Sequence, residues 1–163
     1  SAASDVYKRQ DFKGVGRRFE ISNLSFYEQP RILIDDYGHH PVEISATIQA
    51  IRQKFPRKKI CMIFEPHRFT RTQQLFNDFV KVLSQVDSLL LLEIYPASEK
   101  PIKGISSKNL ISEIAKNHKN AEYIGKTDPL VWLQSNYENF SILITQGAGT
   151  ISKLNKKIKD KWQ

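Results

Sequence analysis

The sequence comprises 163 residues, of which 40% are hydrophobic, and it carries a formal net charge of +8. This length suits one domain with a substantial core, and the hydrophobic fraction excludes a disordered chain. No apolar run approaches the roughly 20 residues that a membrane-spanning helix needs, and the single cysteine, Cys61, cannot form an internal disulfide, so we expect a cytoplasmic protein.

The start of the chain differs in character from the rest. Residues 1–11 are mostly polar or small with little periodic pattern, and we interpret them as a tail or an added segment. Residues 12–30 contain short strand-like pieces at 18–21 and 24–27, so we expect a hairpin or an edge strand there. Residues 12–163 are therefore predicted to form the folded domain.

Strand-like and helix-like segments alternate from residue 31 onward. The strand-like segments are 31–35, 59–64, 88–94, 122–124 and 140–145. The helix-like segments are 41–54, 70–83, 106–117, 129–135 and 151–161. Because the main strands are apolar on both faces, we predict a three-layer, mostly parallel, Rossmann-like α/β sheet with helices on both faces. The antiparallel or hairpin edge would lie on its N-terminal side.

A dense group of titratable side chains follows the first of these strands, in residues 35–41 (DDYGHHP). Ligands of such sheets bind beside the carboxyl ends of the strands. There, carboxylates can hold ribose hydroxyls, and imidazoles can accept a proton near pH 7. A metal site is a weaker alternative, because the adjacent His39 and His40 would diverge in regular structure. The other alternative is a turn in which an aspartate caps the helix.

Two arginines follow the next strand, in residues 65–71 (EPHRFTR). Arg68 and Arg71 are three residues apart, which brings their side chains together in a first helical turn. Two guanidinium groups at a helix N-terminus would bind a carboxylate or a phosphate. Alternatively, these are surface arginines paired with Glu65 or Asp78.

Two glycine-containing segments offer weaker signals. Residues 14–19 (GVGRRF) place glycines before two arginines, which suggests phosphate contacts. Residues 146–151 (QGAGTI) lie between a strand and a helix, but Ser152 stands where a dinucleotide-binding loop needs its third glycine. Close packing between strand and helix explains the second segment equally well.

The basic residues are partly clustered, at 54–59 and at 153–161. Each cluster is interpreted as a solvated helix end or face. The alternative is a contact with a nucleic-acid backbone, but aromatic residues do not alternate with these lysines and no nucleic-acid-binding motif is found. We therefore expect neither a nucleic-acid nor a membrane partner.

Taken in order, the segments 14–19, 35–41, 66–71 and 146–149 resemble the C-terminal domain of the Mur ligase family. The resemblance extends from about residue 12 to the last helix. Within the family, Tyr37-Gly38 and the run 67–71 (HRFTR) favour the alanine-adding members. The ligases that recycle murein tripeptide, which share the Asp-Asp and His-His-Pro elements, are the alternative.

This resemblance implies ATP-dependent amide-bond synthesis in peptidoglycan biosynthesis. ATP phosphorylates the carboxylate of UDP-N-acetylmuramate, and the amine of L-alanine attacks the resulting acyl phosphate. By position in the motifs, Arg18 would contact the ATP phosphates and Asp36 the ribose side of the nucleotide. Magnesium is implied as well, with its ligands mainly in a central ATP-binding domain, so no metal ligand is assigned to this sequence.

The resemblance also implies which residues meet the reacting groups. Tyr37 and His39 would line the reaction centre. His67, Arg68 and Arg71 would bind L-alanine, with the two arginines holding its carboxylate. The UDP-binding domain, the ATP phosphate loop and a recognisable carbamylated lysine are not found in this sequence, so we expect the isolated chain to be inactive.

Overall fold

Six strands form one sheet in a computed structural model that describes residues 16–125 and 127–163. Their spatial order is β1-β2-β6-β3-β4-β5, with β1 antiparallel to β2 and all other neighbours parallel. The prediction of a mostly parallel α/β sheet with a hairpin edge is therefore confirmed. The predicted tail, 1–11, lies outside the described residues. The strands are β1 (Glu20–Phe26), β2 (Gln29–Asp36), β3 (Ile60–Phe64), β4 (Ser88–Leu91), β5 (Ala121–Tyr123) and β6 (Ile142–Gln146).

Helices cover both faces of the sheet. Ile34 and Ile144 belong to a buried cluster with side chains of α1, α3 and α4, whereas the adjacent Leu33 and Leu143 join α5 and α6 on the opposite face. Cys61 lies fully buried in the second cluster, where burial raises the pKa of its thiol. No helix in the described part of the chain is both long and apolar enough to cross a bilayer. The helices are α1 (Pro41–Lys54), α2 (Phe69–Gln74), α3 (Phe76–Leu83), α4 (Ser107–Ala115), α5 (Pro129–Asn136) and α6 (Ile151–Trp162).

The hairpin between β1 and β2 brings the N-terminal arm to the sheet. Tyr27 and Glu28 form its two-residue turn with positive φ angles of 49° and 69°. Such turns usually carry Asn or Gly, so the sequence did not mark this turn. The predicted strand-like pieces 18–21 and 24–27 both overlap a single strand, β1. Pairing of Glu20 with Asp35 places the arm beside the carboxyl end of β2.

Two predicted elements differ from those observed. The helix expected over 70–83 is two helices, because Leu75 leaves helical geometry with φ −114° and ψ 23°. Neither glycine nor proline marks this break. The strand expected over 88–94 ends at Leu91, although Tyr95 forms an isolated parallel bridge with His67. That bridge extends sheet pairing into the loops beyond β3 and β4.

Glu65, directly after β3, fixes the start of α6. Its carboxylate accepts hydrogen bonds from the Ile151 amide at 3.1 Å and from Thr150 Oγ1 at 2.7 Å. This close approach depends on Gly149, because a Cβ there would overlap Glu65 Oε1 and lie 2.7 Å from Tyr95 Cγ. Close packing between strand and helix therefore accounts for the glycines of the segment 146–151.

Replacement of Gly149 by alanine should lower the free energy of unfolding by about 1–3 kcal/mol, because the added methyl group overpacks the contact with Glu65 and Tyr95. Urea unfolding followed by circular dichroism measures the change. Gly16→Ala is the matched control, since a Cβ at Gly16 meets nothing within 4 Å. Equal unfolding midpoints for the Gly149 variant and the parent would contradict the packing account.

Candidate functional site

The carboxylate of Asp36 holds three segments together at the carboxyl edge of the sheet. Its oxygens accept hydrogen bonds from the Phe19 amide at 2.9 Å, the Gly38 amide at 2.8 Å and Gln146 Nε2 at 3.0 Å. The side chain has no exposed surface. Burial raises the pKa of Asp36, and these hydrogen bonds oppose that rise by favouring the carboxylate. The buried Asp36 carboxylate thus positions the three segments that form the site.

The neighbouring Asp35 anchors the N-terminal arm. Arg17 Nε and Nη2 donate to the two Asp35 oxygens at 3.0 and 3.2 Å, and Thr145 Oγ1 also donates to Asp35, at 2.8 Å. The Tyr37 amide in turn donates to the Arg17 carbonyl at 2.6 Å. Since Arg18 lies between the arm's two points of attachment, its backbone position is fixed relative to β2. Gly14 and Val15, the first residues of the segment 14–19, lie outside the described residues.

The two adjacent histidines have different surroundings. His40 is the N-cap of α1, and its Nδ1 accepts a hydrogen bond from the Val42 amide at 3.1 Å. Glu43 completes a capping box by accepting hydrogen bonds from the amides of His39 and His40 at 3.2 and 3.1 Å. His40 is therefore engaged in capping the helix, whereas the His39 ring turns toward the other site residues.

Five side chains form a continuous row along the sheet edge. The Arg18 guanidinium lies 4.6 Å from the centre of the Tyr37 ring. The ring centres then follow at 5.3 Å from Tyr37 to His39, 5.2 Å from His39 to His67, and 5.4 Å from His67 to Tyr95. We call these five residues the ring row. It brings together residues from the arm, from the turn after β2, and from the loops after β3 and β4.

The two predicted arginines lie at the His67 end of the ring row. Arg71 Nη1 is 3.3 Å from His67 Nδ1, and Arg68 is exposed with an unusual positive φ of 74°. Among the described residues, neither arginine forms a salt bridge with Glu65 or Asp78. His67 contacts the Arg71 guanidinium, whereas Arg68 is the N-cap residue that precedes the helix, not a member of its first turn.

The expected contribution of a helix N-terminus is absent. The helix that follows Arg68 has only six residues, and its Thr70 amide and hydroxyl already donate to the Glu99 carboxylate at 3.0 and 2.5 Å. A helix this short develops only a small dipole. The arginine side chains, rather than backbone amides, are thus the groups left to bind an anion.

Burial favours the neutral form of both site histidines. It lowers the pKa of His39, with the nearby Glu43 carboxylate opposing the shift, and it lowers the pKa of His67, where His39 and Arg71 reinforce the effect. Because both pKa values lie below the ordinary 6.5, a proton is taken up only on the acid side of that value. Near neutral pH, each imidazole is therefore available to accept a proton.

The site also has features that bear on nucleotide and metal binding. Arg18 Nη1 lies 3.7 Å from Glu43 Oε2 and has no hydrogen-bond acceptor among the described residues, while 21% of its side chain stays exposed. The Nη1 atom itself is buried, so a phosphate could contact only the exposed part of the Arg18 side chain. Within residues 16–125 and 127–163, no three His, Cys, Asp or Glu side chains are grouped as metal ligands.

Sequence reasoning did not assign roles to Glu43, Tyr95 and Glu99. The spacing of Glu43, three residues after His40, was a readable signal for a capping box, although His is not a usual N-cap. Tyr95 belongs to the run 95–97 (YPA), which follows a predicted strand and also fits the family resemblance, but the resemblance assigned it no role. Glu99 had no local signal, because its partner Thr70 lies 29 residues away.

Comparison with known proteins identifies a family match over most of the chain. The sequence profile of the family described as "Mur ligase, glutamate ligase domain" matches residues 17–149. Among solved structures, UDP-N-acetylmuramate–alanine ligase from Thermotoga maritima is similar with a TM-score of 0.66 and 25% sequence identity. The similarity covers 93% of this chain and 31% of that protein.

Two further structures share the fold at lower identity. Murein peptide ligase from Psychrobacter arcticus has a TM-score of 0.71 at 16% identity, covering 91% of this chain and 30% of that protein. Folylpolyglutamate synthase from Thermotoga maritima has a TM-score of 0.61 at 15% identity, covering 89% and 31%. This chain therefore spans about a third of the length of these proteins.

Replacing Glu43 by glutamine should lower the pKa of His39 further, because the substitution removes the negative charge that now favours the imidazolium. Glutamine retains the hydrogen bonds of a capping box, so the helix should keep its start. Proton NMR titration of the histidine rings measures the midpoint. The parent protein, titrated under the same conditions, is the reference. A His39 midpoint that stays constant or rises would contradict this electrostatic account.

Proposed function

This chain belongs to the Mur ligase family, whose glutamate ligase domain it matches over residues 17–149, and from that membership we propose that it serves an ATP-dependent ligase joining L-alanine to UDP-N-acetylmuramate. The observation that carries the proposal is the ring row together with the two arginines at its end. The ring row and Arg71 bring two guanidinium groups and two imidazoles together at one sheet edge, which supports contacts with a phosphate and a carboxylate. The UDP-sugar and magnesium would be held mainly by domains beyond this chain.

The arm would contact the nucleotide. Arg18 is positively charged and leaves 21% of its side chain exposed, which suits it to contact an ATP phosphate. Asp36, which the family resemblance assigns to the nucleotide, is buried with its oxygens engaged by Phe19, Gly38 and Gln146. We therefore propose that Asp36 contributes indirectly, by fixing the arm that carries Arg18.

The opposite end of the ring row would bind the amino acid. Arg68 and Arg71 would bind the L-alanine carboxylate, with His67 beside them. The ammonium group of an amino acid must lose a proton before its nitrogen can attack a carbonyl carbon. His39, neutral near pH 7 and next to His67, is suited to accept that proton, while Tyr37 packs against its ring. ATP supplies the phosphoryl group that activates the muramate carboxylate.

A ligase that recycles murein tripeptide is the second candidate, since murein peptide ligase shares this fold. The run 67–71 and Tyr37-Gly38 favour the alanine-adding function. A direct test replaces the matching C-terminal third of the Thermotoga maritima alanine ligase with this chain. Phosphate release that depends on L-alanine is expected. Release that depends only on murein tripeptide would move the assignment to the recycling ligases, and no release with either substrate would contradict the proposal.

In that chimeric enzyme, Arg71→Ala should raise the KM for L-alanine roughly 10- to 150-fold, the equivalent of about 1.5–3 kcal/mol for a lost charge-assisted contact. The KM for ATP should change little, because Arg71 lies at the far end of the ring row from Arg18. Arg52→Ala is the control, since Arg52 bonds to Asp87 at the opposite edge of the sheet. An unchanged KM for L-alanine in the Arg71 variant would remove the carboxylate-binding role.

A further inference from the structure

We propose that Tyr95 sets the upper size limit of the amino acid side chain that the site accepts, an inference that rests on the proposed function. Tyr95 is the last member of the ring row, and its ring stacks on His67 with an interplanar angle of 24°. His67 in turn contacts Arg71. The half-buried tyrosine ring therefore forms a wall beside the groups that would hold the amino acid.

On one side, the base of the Tyr95 side chain packs against Gly149. A Cβ on Gly149 would lie 2.7 Å from Tyr95 Cγ and 3.0 Å from Tyr95 Cβ, so the tyrosine packs directly against the glycine backbone. Glu65 holds the adjacent start of α6 through Thr150 and Ile151. Tyr95 thus packs beside the start of α6, which Glu65 holds in place.

The backbone of Tyr95 is also fixed relative to the arginines. Its amide donates to the Pro66 carbonyl at 2.8 Å, and its carbonyl accepts from the Arg68 amide at 2.8 Å. These bonds flank His67 and hold Arg68 at its positive φ of 74°, a conformation that costs free energy and persists only where its surroundings enforce it. The backbones of Tyr95 and Arg68 are therefore held beside each other.

The position of Tyr95 beside His67 and Arg68 limits the size of the amino acid side chain that fits. An amino acid held by its carboxylate on Arg68 and Arg71 carries its side chain only two bonds from that carboxylate carbon. A side chain directed at Tyr95 can grow only until it meets the ring, whose base packs against Gly149. In tightly bounded pockets, one methylene changes selectivity roughly 10- to 200-fold.

The experiment compares three variants in the chimeric ligase that contains this chain: Tyr95→Val, Tyr95→Leu and Tyr95→Phe. For each, kcat/KM is measured with L-alanine and with L-valine. Tyr95→Val should raise the L-valine to L-alanine ratio at least roughly 10-fold, because the wall is removed and L-valine carries two carbons more than L-alanine. Tyr95→Leu should raise the ratio less, and Tyr95→Phe, which keeps the ring, should leave it unchanged.

The outcomes separate this inference from the proposed function. An unsubstituted chimera without L-alanine-dependent turnover would count against the proposed function itself. In an active chimera, a Tyr95→Val or Tyr95→Leu variant that loses activity equally with both amino acids would overturn the size-limiting role and leave Tyr95 only a structural one. Tyr95→Leu keeps the test decisive if the valine variant unfolds, since leucine preserves more of the packing against Gly149.

Discussion

The site depends on one buried carboxylate. Asp36 receives hydrogen bonds from the arm, the turn after β2 and the end of β6, through Phe19, Gly38 and Gln146 respectively. An ionised carboxylate is costly to bury unless its oxygens are hydrogen-bonded. Burial of Asp36 therefore depends on the three donors, and the donors depend on Asp36 as their acceptor. Gly38 completes the arrangement, because a Cβ there would lie 2.8 Å from Asp36 Oδ1. Arg18, Tyr37 and His39 all belong to the segments that this carboxylate joins.

A second, independent arrangement positions the other half of the site. Tyr95 pairs its backbone with Pro66 and Arg68, and the Glu99 carboxylate closes the start of α2 at Thr70. Both contacts come from the loop after β4 and act on the loop after β3. The rings of His39 and His67 are in contact where the two halves meet. The end of the ring row proposed to bind the amino acid and the end proposed to bind the nucleotide are therefore positioned by different parts of the chain.

Much of this arrangement could be predicted from the sequence, and the parts that could not are non-local. Parallel strands end at one edge of their sheet, so the residues following them, among them His39, His67 and Arg71, were predictably brought together. The turn at Tyr27 lacks the residues typical of its conformation, and the helix break at Leu75 has neither glycine nor proline. The burial of Asp36 depends on donors from Phe19 and Gln146, which are distant in sequence and brought to it by the folded sheet.

Amide hydrogen exchange in an Asp36→Ala variant tests the central claim most directly. If the Asp36 carboxylate holds the arm and the turn, the amides of Phe19 and Gly38 should both lose protection, while that of Ile144 in the centre of the sheet should stay slow to exchange, because local opening leaves the core intact. Unchanged protection at Phe19 and Gly38 would contradict the account. It would mean that the arm and the turn are held by contacts other than this carboxylate.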